Sequence, residues 1–420
     1  MIVFATTCTR ATLNNSSSPS TQEQVRPHLN NSVAVPGQEL PPIGINTIQL
    51  YRGQVGNAPV ITLHSNQQLT LKFDELGFET RMLRVRFTHH NADWTRSSLL
   101  PNFYLRGFQE DYITKTEPSH IQRPAYTHYT YRFPNNNVEF LASGNYMVEV
   151  YDYERDEILF SLPFFVHENE GHVETNIEEF FGPARPFLSH QIFSTYTHPD
   201  YVTMPGVDLE THFVQNHFWG RARTSDITDI SARDHTRMHI TRDNAYVGRF
   251  EFRRLDLRRF RQQGINILEV REETIPPQLI LRRDVVNLDV NPGISQSHLF
   301  GNPVDTLSAR YADVYFELEL PNPELTELPV YIIGPFNNWS INENNRMVYN
   351  QETDSYTGNA LIKEGFYNYK YAVVEDGTVN DIRLDASFAD TRQIYHTFVY
   401  FYDPQQQADR LLNVQAYETR

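Results

Sequence analysis

The sequence predicts an all-β protein, built as three consecutive β-sandwich-like domains behind a disordered N-terminal tether. Three observations carry this expectation. Short segments alternate apolar and polar residues, as half-buried strands do. The aromatic residues are mostly Tyr and Phe, 24 and 27 of them, and these favour strands. At 420 residues the chain has room for three sandwiches of ~100 residues each after a leader.

Taken in order, Thr47–Tyr51, Val60–Leu63, Leu69–Phe73, Met82–Phe87, Tyr129–Phe133 and Leu159–Val166 read as strands of a first domain, residues 42–167, with Gly144–Asp152 a turn feeding another strand. Pro163 in the last of them points to an edge or a bulge, because proline cannot donate to a ladder. Glu168 to Thr175 reads as a polar connector, and residues 168–308 as a middle domain. Its strands are expected near Phe187–Phe193, Met238–Ile240, Ile265–Glu272 and Val285–Leu288. The final domain, 309–420, carries Val314–Leu320, Val330–Gly334, Met347–Tyr349, Gly358–Ile362, Gly365–Val374 and Thr397–Tyr402. No helix-period stretch of useful length interrupts it.

The formal net charge is -16, which disfavours general binding to nucleic acid because the whole-molecule field repels a phosphate backbone. The cations are nearly all Arg; the lysines are Lys72, Lys115, Lys363 and Lys370. Arg residues crowd the middle domain, from Arg221 through Arg253, Arg254 and Arg258 to Arg261. They read either as solvated strand faces or as a docking face for an acidic partner or anionic lipid. The single cysteine, Cys8, excludes an intramolecular disulfide and a thiolate metal cluster. No apolar run reaches the ~18 residues that a membrane-spanning helix needs.

Residues 1–41 read as a remnant leader and linker. Met1–Cys8 reads as the tail of an apolar export segment, and a Ser/Asn/Pro/Gln-rich stretch follows it. The start is similar to a bacterial lipoprotein signal, which would make Cys8 a lipidation site, although Ala5 and Thr7 depart from that pattern. The competing reading is an unstructured leader with an incidental cysteine. Either way, residues before Pro42 are expected to be a mobile tether.

The most catalytic-looking cluster is His89-His90-Asn91-Ala92-Asp93-Trp94. Adjacent residues on a strand point to opposite faces, so the two histidines do not share a metal easily; His128 or Asp93 would have to complete a site. A strand end with Trp94 packed beneath it is the simpler reading. His212, Asn216, His217 and Trp219 match no ligand template, and nucleophile elbows and phosphate loops are missing from the sequence. Neither an enzyme nor a bound cofactor or metal is expected.

Ile333-Gly334-Pro335-Phe336-Asn337-Asn338-Trp339, followed by Gly365-Phe366-Tyr367-Asn368-Tyr369, resembles early-set immunoglobulin-like modules of the glycogen- and starch-binding type. That resemblance makes the last domain an immunoglobulin-like sandwich and Trp339 a carbohydrate candidate, with a core Trp as the preferred alternative.

A second resemblance runs from Gly44 to Val414. Ile45–Leu50, His90–Trp94, Gly107–Asp111, Thr127–Tyr129, Phe133–Asn135, Ser143–Tyr146, Thr197–Pro199 and Gly365–Tyr369 look like the plug protein family of the Bacteroidetes type IX secretion system. The resemblance implies a periplasmic, non-enzymatic protein peripheral to the outer membrane. It implies closure of the periplasmic opening of the translocon barrel when no substrate is in transit. Trp94, Phe108, Arg253, Arg254 and Arg258 are the expected partner contacts. A periplasmic or surface glycan-binding protein is the alternative.

Overall fold

In the computed structural model the described residues are 29–77, 79–121, 123–182, 185–248, 252–260, 266–285, 301–320, 328–384 and 393–419. The predicted alternation is realised as strands throughout, and the two α-helices among these residues, Pro101–Tyr104 and Pro205–Asp208, are single turns.

The first sandwich faces a four-stranded sheet with a five-stranded one. The former runs Ile45–Arg52, Leu69–Leu76, Tyr126–Phe133, Lys115–Pro118, and the latter Val60–Thr62, Glu157–His167, Gly144–Asp152, Leu83–His90, Glu110–Tyr112. Its core is aromatic because the inward set of each strand is Phe- and Tyr-rich: Phe73 stacks on Tyr129 at 4.8 Å, and Phe87 meets Phe133, Phe140 and Phe164. Pro163 lies opposite Met147, while the neighbour on the strand's other side, Val60–Thr62, pairs only with residues 165–167. The missing proline N–H therefore falls where the strand is an edge, as expected.

The rest of the chain is divided differently from the expected boundaries at 168–308 and 309–420. Strand Ile394–Asp403 pairs with Leu209–Gln215 on one side and with Ala408–Glu418 on the other, and the two late strands complete a sheet of the middle unit. That sheet packs on a second one made of His172–Gly182, Arg185–Thr197, His235–His239 and Ile227–Asp229; Thr175 of the one reaches Thr397 of the other at 3.0 Å. Conversely, Arg253–Asp256 pairs with Gly365–Glu375, and Gln278–Leu281 with Tyr311–Glu319, so both belong to the last sandwich. The three sandwich-like units are present, but the immunoglobulin-like one is inserted within the middle one. Local alternation could not reveal this, because period-2 burial reports that a face is covered and not by what.

The chain from residue 29 is anchored, contrary to the expected tether up to Pro42. Asn30 exchanges backbone hydrogen bonds with Gly377 and Val379 of the inserted sandwich. Val33 O accepts from Gly220 N of the middle unit, and Glu39 and Ser161 bind each other in the first. The polar composition hid three apolar anchors: Leu29 and Val33 pack into one interface, and Val35 is 1% exposed in another.

Candidate functional site

The chain has three tryptophans, and all are buried where units meet. Trp94 contacts Phe165 of its own unit at 5.6 Å, and Phe165 in turn meets Trp219 and Phe398 of the middle unit. Trp339 packs on Phe218 and Phe252, each at 5.4 Å. It lies with Tyr331, Ile333 and Ala372 on the outward side of the inserted sandwich, away from that sandwich's own core. Trp339 is thus neither an open sugar platform nor the sandwich core. Trp94 is likewise an interior contact rather than a surface offered to a partner.

Close approach at this junction is set by Gly220. A Cβ there would stand 2.0 Å from Ala34 O, so the 29–41 strap can lie across the Trp219–Arg221 turn only because residue 220 has no side chain. Beside the strap, Ile48, Tyr51, Pro59, Pro163, Trp219, Pro335 and Trp339 line an apolar cleft of about 120 Å³.

The seam between the first and inserted units is polar. Asp74, fully buried, lies 2.7 Å from Lys363 Nζ and 2.6 Å from both His128 Nδ1 and the Tyr311 hydroxyl. Burial pushes the Asp74 carboxyl up, but the His128 hydrogen bond and the Lys363 charge outweigh it and hold the group below the usual carboxylate range. Removing Lys363 would leave a buried carboxylate short of its counter-charge, which is costly. Lys72 and Asp305 add a second pair, 2.8 Å apart, across the same seam. Between the first and middle units, Arg410 forks onto Glu168 and Tyr400 donates to Asn145. The sequence reading gave none of these residues a seam role: His128 was weighed only as a metal ligand, and the one available signal was the rarity of lysine in an Arg-rich chain.

The histidine clusters are structural. His89 is 1% exposed and hydrogen-bonded to Ser97 Oγ and Ser143 O, and burial pushes it down to about 4. His90 bonds Thr88 and Trp94 O, and His128 is committed to Asp74. Asp93 accepts from Thr95. His212 reaches Glu210, and His217 stacks on Trp219 at 5.0 Å. Among the described residues no group of three or more His, Cys, Asp or Glu could hold a metal ion.

The Arg concentration is split by the insertion. Arg221 pairs with Asp381, and Arg223 covers Tyr246 in the middle unit. Arg253 reaches Asp284 at 3.7 Å and lies over Tyr371, and Arg258 forks onto Asp256 in the inserted one. Arg253 and Arg254 are consecutive on one strand, so they point to opposite faces. A single basic docking face does not form from these residues. Phe108 is 63% exposed, with Leu100 and Phe103 exposed nearby in the chain. Cys8, Arg249 and Arg261 lie outside the described residues.

Residues 45–168 match the family described as type 9 secretion system plug protein, 1st domain. This first domain belongs to the type 9 secretion system plug family. The match covers the first sandwich and ends at Glu168, whose carboxylate grips Arg410 of the middle unit. A solved structure of a hypothetical protein from Parabacteroides merdae aligns with a TM-score of 0.82 at 24% identity, covering 94% of this chain and 100% of that one. At that identity the likeness shows the fold alone, over nearly the whole chain. The C-terminal domain of AspA, an antigen I/II-family protein of Streptococcus pyogenes, aligns at 9% identity over 89% of this chain and 100% of that one. Its TM-score of 0.16 carries no shared fold. No curated protein matches the chain.

Proposed function

We propose that the protein is a non-enzymatic plug, which occludes the periplasmic opening of the type 9 secretion outer-membrane translocon barrel when no substrate is in transit. The observation that carries this reading is the plug-family match over residues 45–168. The architecture supports it: a steric plug must resist deformation, and three units joined by buried ion pairs, seam tryptophans and a strap do so. The proposed setting is the periplasm, peripheral to the outer membrane; no described helix is long and apolar enough to cross a membrane. Lipidation at Cys8 would add an anchor. The glycan-binding alternative loses its platform, because Trp339 is 8% exposed and covered by the middle unit.

The test is cross-linking in native membranes followed by identification of the partner. A very large outer-membrane barrel is the expected product, and loss of the gene should make the outer membrane leaky. Recovery of no outer-membrane protein would sink the proposal.

A further inference from the structure

Most sheets end on strands too short to template another chain. Val60–Thr62, Glu110–Tyr112, Lys115–Pro118, Arg223–Thr224, Ile227–Asp229 and Val348–Asn350 have two to four residues each. The long Ile45–Arg52 edge has a register irregularity, and Ala408–Glu418 is partly covered by backbone bonds from Glu168 and Glu170. Such shortening, distortion and covering keep a sheet edge from pairing with other chains.

His172–Gly182 is different. It has eleven residues, contains neither Pro nor Lys, pairs only with Arg185–Thr197, and keeps unbroken register from His172 to Phe180. No backbone hydrogen bond described for Val173 to Phe180 reaches its outer edge. Thr175 and Ile177 face the sandwich interior, while Glu174, Asn176 and Glu178 are exposed on the other face. Opposite those three on the paired strand stand Thr195, Phe193 and Gln191, none of them a cation.

We propose that this edge is a strand-addition site for an extended, basic segment of a partner protein. Main-chain ladder bonds would supply affinity, and the alternating side chains would supply selectivity. The charge pattern defines the occupant: Lys or Arg at i and i+4 opposite Glu178 and Glu174, a small polar residue between them, and apolar residues on the inward face. The proposal deepens the plug reading by giving it a docking edge, and it rests on that reading only for the location of the partner.

The probe is a labelled, capped heptapeptide, Val-Lys-Val-Thr-Val-Lys-Val, titrated into the full chain and followed by fluorescence anisotropy. Two versions are N-methylated on alternate amides, so that one blocks the ladder-facing set and the other the solvent-facing set. Binding of the parent and of one methylated version only is expected. The Glu174→Lys/Glu178→Lys double variant, with an unchanged far-UV spectrum, should bind about tenfold more weakly or worse. Failure of the parent to bind, equal binding of both methylated versions, or undiminished binding by the double variant would overturn the edge. A photo-cross-linker at Asn176, with one at Thr228 as control, is read in native membranes. An outer-membrane barrel recovered without the Asn176 adduct removes the edge and leaves the plug reading intact. Peptide binding without any barrel partner removes the plug reading alone.

Discussion

The first sandwich and the middle unit solve the same packing problem with different chemistry. The first fills its interior with Phe73, Phe87, Phe133, Phe140, Phe160 and Phe164 around Tyr129 and Tyr146. The middle unit has two small apolar clusters, and between its sheets hydroxyls and amides bind one another. Thr175, Ser194 and Thr397 form a triangle of 2.9, 3.0 and 3.1 Å. Gln215 donates to Tyr395, whose hydroxyl lies 2.8 Å from His190 Nδ1. Apolar burial needs only approximate shape and volume, whereas a buried polar network stabilises only when every member is satisfied. The middle unit, made from strands on either side of the inserted sandwich, is accordingly the more conditional structure.

Breaking the aromatic side of this contrast gives the largest effect. Phe73→Ala should cost about 3–5 kcal/mol, measured by denaturant unfolding, because a buried ring leaves a cavity that stacked Tyr129 cannot close. A loss below about 1 kcal/mol would show that the core collapses and would remove the contrast.

Acid should sharpen it from the other side. Burial pushes His396 down to about 3 and His217 well below its ordinary value, and the two rings lie 4.7 Å apart beside Trp219. Below pH about 6.5 the unfolded chain takes up protons that these folded sites refuse, so stability falls with pH between about 6.5 and 3. Trp219 fluorescence should report opening of this seam. His396→Phe should flatten the acid limb by about 1.4 kcal/mol per pH unit; an unchanged limb would place the titration elsewhere. His89 and His167 in the first sandwich, both at about 4, act in the same direction.

The smallest effect is expected at Thr236, which is fully buried with its hydroxyl unbonded among the described residues. Thr236→Val should be neutral or stabilise by up to about 1 kcal/mol in thermal or denaturant unfolding. A loss larger than that would mean the hydroxyl serves the network after all.

Legibility followed the same division. Gly144–Asp152 was read as a turn feeding a strand and is strand throughout, and the first-domain limits of 42–167 lie close to the matched 45–168, because every strand of that sandwich finds its partners within those limits. Leu209–Gln215 and Ala408–Glu418 went unread: Thr211, His212, Gln215 and Asn413 at buried positions blur an apolar alternation. The Glu-rich start of His172–Gly182 read as a connector, since charges on an exposed edge look like those of a loop. Of the named site residues, Trp94 was expected as a partner contact and Trp339 as a carbohydrate candidate or a core Trp; both are buried in clusters shared with other units.

The sequence by itself determined the all-β class, most strand positions and the plug-family character of the first sandwich. These depend on side-chain alternation and local motifs, which any window of chain displays. Only the tertiary structure decided that the immunoglobulin-like sandwich is inserted, that all three tryptophans close seams, and that residue 29 onward is strapped down. It also joined Asp74 to Lys363 across 289 positions. Each of these depends on which buried face meets which, and no local pattern specifies that pairing.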